Sequence, residues 1–206
     1  DTTDTTYTHN YDTANTYTIG LSGQATAYNT GTSTATISFY VNSSQTKIAS
    51  IDGSLGAIFG TLSSGTQKQP RFYYTFYNAT NMTSSIPANL FAGISGAPAS
   101  YMFFNTFLGC SGLTSIPSDL FAGISGAPAS YMFSDTFRDC RGLSGAIPDG
   151  LFGNLTGAPV KMMFVRTFED CSKLTSIPEN LFGNISGAAQ SYMFDRTFAN
   201  CTSLTG

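Results

Sequence analysis

Few side chains in this sequence are equipped for nucleophilic, acid–base or metal chemistry: one histidine, His9, and four cysteines, Cys110, Cys140, Cys171 and Cys201. A Ser/His or Cys/His nucleophile would have to recruit His9 from the N-terminal segment, and no G-x-S-x-G elbow accompanies it. His9 is therefore read as a surface or turn residue. Asp1, Asp4 and Asp12 flank it, but their spacing matches no compact calcium loop. The cysteines have neither a C-x-x-C pair nor a neighbouring histidine, which speaks against zinc and against a disulfide framework. They are expected to be free, buried thiols forming a structural ladder, each a small hydrophobe whose S–H reaches a turn carbonyl. The chain is read as a non-enzyme, with no catalytic, metal or cofactor site.

What places the cysteines is a repeat. Ile-Pro recurs at Ile86-Pro87, Ile116-Pro117, Ile147-Pro148 and Ile177-Pro178, and the segments Leu90 to Phe103 and Leu120 to Phe133 are identical. A near-constant period of 30 or 31 residues is the signature of a solenoid, in which each unit buries its apolar face against its neighbours. Within one unit, Leu113-Thr114-Ser115-Ile116 reads as a short strand stopped by Pro117. Leu120, Phe121 and Ile124 then fit a short helix or 3₁₀ turn. Phe133, Phe137 and Cys140 fall at i, i+4, i+7, which predicts a second, longer helix. Stacked strands would lie about 4.8 Å apart. The one extra residue of the third unit, Ala146, is expected as a bulge beside Ile147.

The solenoid is expected to span residues 47–206, with four extra residues absorbed in the Ser63 to Gln69 loop. Residues 1–46 differ in composition. Thr16 to Tyr28 and Thr34 to Val41 read there as two strands joined at Asn29-Thr30-Gly31, a β-rich cap compatible with the back part of a truncated module. Cys201 to Gly206 is the opening of another coil, so the polypeptide is expected to continue.

Composition narrows the partners. With 9 Lys+Arg against 12 Asp+Glu and 10% charged residues, there is no basic stripe for nucleic acid. No apolar run is long enough for membrane insertion. Abundant Ser and Thr with scarce Lys point to an extracellular or cell-surface location. Of the N-x-[ST] sequons, Asn154 and Asn184 are expected to be the accessible ones.

Two stretches carry a family resemblance. Thr136-Phe137-Arg138-Asp139-Cys140-Arg141-Gly142-Leu143 and Thr167-Phe168-Glu169-Asp170-Cys171-Ser172-Lys173-Leu174-Thr175-Ser176-Ile177-Pro178 resemble the F-x-x-C-x-x-L-T-x-I-P core of BspA-like leucine-rich-repeat bacterial surface proteins. Met102-Phe103, Met132-Phe133, Met163-Phe164 and Met193-Phe194 are similar to the M-F-x-x-C-x-x-L-T units of a related surface repeat. The resemblance implies an α/β, leucine-rich-repeat-like solenoid of 30–31-residue coils, short parallel strands plus helical segments, and an adhesive or interaction role. The stretch Thr8 to Ile19, with His9, Tyr11, Ala14 and Tyr17, resembles the close of PKD-like β-sandwich domains.

Where the units are constant they leave little room for a tuned contact, and the strand residues barely vary. Variation concentrates at Asn105, Asp135, Arg166 and Arg196; at Leu108, Arg138, Glu169 and Ala199; and at Gly109, Asp139, Asp170 and Asn200. The candidate interaction ridge is accordingly Asn105, Asp135, Arg138, Arg166, Glu169 and Arg196. Stacking predicts Asp135 over Arg166 and Arg138 over Glu169, as solvated pairs worth about 0 to 1 kcal/mol each. The functional expectation is non-catalytic cell-surface adhesion to a host or neighbouring-cell protein or glycan, with self-association through the solenoid ends as a further contact. The alternative is a structural spacer or filament-forming subunit; a hydrolase would need catalytic residues outside this segment.

Overall fold

The computed structural model describes residues 12–13, 15–22, 36–39, 45–59 and 69–205. Among these, regular helix is confined to a 3₁₀ turn at Gln45–Lys47 and the helix α1, Gly56–Phe59. Two strands occur, β1 (Ser144–Ala146) and β2 (Lys173–Ser176). Nearly everything else is turn, and the turns are regular.

The expected second helix is absent. Residues 99–110 and their counterparts in every repeat form a run of four-residue turns: Met102, Thr106 and Cys110 donate their N–H groups to the carbonyls of Ala99, Phe103 and Phe107, three residues back. The third residue of each turn is left-handed, with φ of 62° at Tyr101, 55° at Asn105 and 75° at Gly109, as in a type II turn. The i, i+4, i+7 spacing of Phe133, Phe137 and Cys140 suits this four-residue period as well as the 3.6-residue period of a helix. Left-handed residues at Asp135 and Asp139 decide for turns, because a right-handed helix cannot hold them.

The backbone is accounted for residue by residue. Phe104 and Leu108 also bond backwards within their own repeat, to Tyr101 and Asn105. The alternate residues Phe103, Asn105 and Phe107 instead send their N–H groups to Met132, Ser134 and Thr136 of the following repeat, at 2.8, 3.2 and 2.9 Å. Half of the donors close turns and half join layers. From Tyr101 to Cys110 every backbone donor has a partner, as a buried backbone requires.

Two side chains in F-x-x-T-F-x-x-C complete the lattice. The Thr136 hydroxyl donates to the carbonyl of Phe103 at 2.9 Å, and Thr167 and Thr197 do the same to Phe133 and Phe164. The Cys140 thiol donates to the carbonyl of Phe107 at 3.1 Å, with Cys110, Cys171 and Cys201 in equivalent bonds. Each of these Phe carbonyls accepts one bond from its own turn and one from the next layer's Thr or Cys, and Phe133 accepts the Thr136 hydroxyl as well. All four cysteines are free and buried, as the sequence indicates.

Three ladders of phenylalanine fill the core. Phe107, Phe137, Phe168 and Phe198 stack at 5.4, 5.6 and 5.7 Å with rings within 9° of parallel. Phe103, Phe133, Phe164 and Phe194 form a second file at 5.5 to 5.7 Å. Phe91, Phe121, Phe152 and Phe182 form a third at 5.9 to 6.0 Å. Each offset pair adds about 0.5 to 1.5 kcal/mol beyond area burial. Leu113, Leu143 and Leu174 are buried beside them, with Leu204 partly so.

After each Ile-Pro the chain turns through three-residue bonds, Leu120 to Pro117, Ala122 to Asp119 and Ile124 to Phe121, without becoming helical. Gly126 then bridges in parallel to Leu155, as Gly96 does to Ile124 and Gly157 to Ile185. Strands β1 and β2 pair in parallel, and the register shifts between Gly145 and Ala146, where the partners jump from Leu174 to Ser176. The bulge expected at Ala146 is not there: Ala146 pairs with Ser176, and the residue passed over is Thr175 on the facing strand.

Leu55 donates to the carbonyl of Leu90 at 2.7 Å, which continues the stacking to the layer before Pro87. Residues 36–39 lie across the layer of Phe72 to Ala79: Ile37 and Phe39 donate to the carbonyls of Arg71 and Thr75, and Phe39 packs on Phe76 at 5.5 Å. This segment covers the turn-bearing side of that layer. The expected hairpin at Asn29-Thr30-Gly31, the Ser63 to Gln69 loop as far as 68, His9, Asp1 and Asp4 lie outside the described residues. Residues 15–22 form no strand, and Tyr17, Ile19 and Leu21 are exposed.

Candidate functional site

The turn runs carry the ridge. Asn105, Asp135, Arg166 and Arg196 occupy the third position of equivalent turns, with φ between 52° and 55°. Gly109, Asp139, Asp170 and Asn200 occupy the third position of the next turn, together with Asn78. Asn, Asp and Gly tolerate left-handed backbone best. The second column thus reflects a conformational demand, and a sequence reading that treats it as free variation misses that signal. The two arginines of the first column pay for a β-carbon there with roughly 1 kcal/mol of strain each.

Glu169 is the centre of the charged residues, and it is not solvated: its side chain is 1% exposed. Arg138 Nε stands 3.2 Å and Arg166 Nε 3.5 Å from its Oε2, and an Arg196 nitrogen reaches Oε1. Arg138 and Arg166 come from the preceding and the same layer, and Arg196 from the following one. The expected pair Arg138 with Glu169 is therefore present. Asp135 pairs with Arg138 of its own layer at 3.4 Å instead of with Arg166. Arg138 Nε, Arg166 Nε and Glu169 Oε2 lack aligned hydrogen-bond partners, so charge rather than directional bonding holds this contact. The expectation of a solvated pair fails because three guanidinium stems close over one carboxylate and remove it from water. Asn105 is buried in the same column but takes no part in the ion cluster.

Beside the cluster opens a cleft of about 490 Å³, lined by Tyr77, Asn78, Leu108, Gly109, Ser111, Arg138, Asp139 and Arg141. Arg141 grips Asp139 Oδ1 through two nitrogens at 2.8 and 3.2 Å. An aromatic shelf adjoins: Tyr74 meets Tyr77 at 5.1 Å, Tyr73 stacks on Phe104 at 5.1 Å, and Tyr101 stacks on Tyr131 at 4.7 Å. All six rings are half-buried. Sequence reasoning missed the cleft and the shelf, although the run Tyr73-Tyr74-Thr75-Phe76-Tyr77 was the available signal.

The cysteines contribute no reactivity. Burial pushes the Cys110 thiol up to about 12 and the Cys201 thiol to about 11, and raises Cys140 and Cys171 as well. They remain protonated donors at neutral pH. Asn154 and Asn184, the expected glycan acceptors, are exposed, but their amides donate to the carbonyls of Ala122 and Gly153 in the preceding layer. Among the described residues no group of His, Cys, Asp and Glu is placed to hold a metal, and no helix is long and apolar enough to cross a membrane. No family model, curated protein or solved structure matches the chain.

Proposed function

We propose that this chain is a non-catalytic interaction module of a cell-surface protein, a leucine-rich-repeat-like solenoid in its stacking but with turns where helices were expected, which binds a protein or glycan on a host or neighbouring cell. The observation that carries the reading is the cleft between Tyr77, Asp139 and Arg141, set among the columns where the repeats differ. Constancy elsewhere is explained by packing: the Phe, Thr and Cys positions are all consumed by ladders. The turn columns alone combine aromatic rings, planar guanidinium groups and carboxylates, which is the composition of contact surfaces. The BspA-like character of the F-x-x-C-x-x-L-T-x-I-P units agrees with this role.

A second reading, a spacer or filament-forming subunit, is favoured by the strand face. Thr114, Ser115, Ser144, Gly145, Ala146 and Thr175 are exposed and small, a surface with nothing to grip. The two readings separate in one experiment. Fluorescent beads coated with the chain are offered to cell monolayers and to immobilised matrix proteins, and the chain alone is imaged by negative-stain microscopy. Retention of the beads above albumin-coated controls supports the module; end-to-end rods without retention support the spacer.

A further inference from the structure

The column of left-handed residues Asn78, Gly109, Asp139, Asp170 and Asn200 presents one side chain per layer, except at Gly109. A β-carbon there would lie 2.0 Å from the Asn78 Oδ1, so the Asn78 amide takes the place of a side chain at 109, and the opening that forms the notch lies beside that amide, along Leu108, Asp139 and Arg141. Tyr77, Ser111 and Arg138 line it as well. The 490 Å³ of this space falls in the range of small-ligand sites, about 300 to 1,000 Å³.

We propose that the notch at Gly109 is a saccharide-binding site that takes a neutral pyranose ring. The inference rests on the interaction-module reading and names its ligand class. A pyranose has flat C–H faces and a rim of hydroxyls that each donate and accept. The notch offers the complement: the Tyr77 ring and Leu108 are apolar, the Asn78 amide donates and accepts, Asp139 accepts, Arg141 donates in a plane and Ser111 does both. Charge selects for neutrality. Arg141 is already bonded to Asp139, and Arg138 is shared among Asp135, Asp139 and Glu169, so neither an anion nor a cation meets an unpaired counter-charge. A peptide strand is disfavoured because the N–H groups of Asn78, Phe107 and Gly109 are spent on Leu108, Thr136 and Arg138 of the following layers, leaving no edge for strand addition. The Tyr74 and Phe104 rings extend the apolar surface away from the notch for further sugar units.

The test uses the whole chain on a printed array of neutral oligosaccharides with glucose, galactose, mannose, xylose and N-acetylglucosamine backbones, beside heparin fragments, followed by titration calorimetry with the best neutral tetrasaccharide. At least one neutral sugar binds, and Gly109→Asn weakens it at least about tenfold. Asparagine already occupies this left-handed slot at Asn78 and Asn200, so the variant retains the fold once the flexible Asn78 amide moves aside. Tyr77→Ala, which touches no backbone constraint, weakens binding to a similar degree and serves if Gly109→Asn misfolds. Absence of any neutral binder, binding of heparin fragments alone, or neutral binding untouched by both variants overturns the proposal. Bead attachment to cells that survives Gly109→Asn also overturns it, while leaving the interaction module in place.

Discussion

The Cys140 thiol reaches across one layer to the carbonyl oxygen of Phe107 at 3.1 Å, an oxygen that already accepts the N–H of Cys110. Thr136 stands in the same relation to Phe103 at 2.9 Å. These bonds explain why the repeat keeps T-F-x-x-C. They also rank the two residues, since a hydroxyl is a stronger donor than a thiol.

Thr136→Val, of nearly equal volume, is expected to lower unfolding stability by about 1 to 3 kcal/mol by leaving a buried carbonyl one bond short. Cys140→Ala is expected to lose less, about 1 kcal/mol, because the slot already holds Ala79 in the layer before Cys110. Urea titrations of both variants check the order; a larger loss for Cys140→Ala would contradict the donor ranking.

Alkaline pH should weaken the fold through the same thiols. Their native pKa values lie above the ordinary 9.0, at about 12 for Cys110 and about 11 for Cys201. The native state therefore holds protons that the unfolded chain releases, so this contribution is full below pH 9 and falls away as pH rises through 11 to 12. Tyr73, raised from 10.0 chiefly by burial, acts in the same direction. Denaturation midpoints between pH 7 and 11 should decline above 9, and less steeply in Cys140→Ala.

Glu169 anchors Arg138, Arg166 and Arg196. Glu169→Gln keeps its shape but removes the charge that the three guanidinium groups share, and should cost about 1 to 3 kcal/mol. Arg196→Ala, at a half-exposed position, should cost at most about 1 kcal/mol. Equal, negligible losses in thermal melts would return the cluster to the status of surface decoration.

The layer period and the buried cysteine ladder were legible because each follows from identity at a fixed spacing, whereas the strand register was not: Leu174 pairs with Gly145, and Thr175 rather than Ala146 is passed over. The helix at Phe133 to Cys140 was misread, since spacings of four and seven do not separate a 3.6-residue period from a four-residue one. The discriminating signal was the Asn/Gly/Asp/Asp/Asn column at 78, 109, 139, 170 and 200, whose chemistry calls for left-handed backbone. Asp135, Arg138, Arg166, Glu169 and Arg196 lie in one ion cluster, but the burial of Glu169 depends on how three arginine stems fold over it. The cleft was invisible for a related reason: its lining residues, from Tyr77 to Arg141, come from three successive layers.

Attachment of beads coated with three forms of the chain tests the central claim most directly: the unaltered protein, a turn-face variant (Tyr77→Ser with Arg141→Ser), and a strand-face variant (Thr114→Lys with Thr175→Lys). Tyr77 and Arg141 line the cleft, whereas Thr114 and Thr175 are exposed on the strand face. With melting temperatures matched, the account predicts that attachment to cells is lost in the turn-face variant and kept in the strand-face variant. Attachment kept by the turn-face variant and lost by the strand-face variant would contradict it.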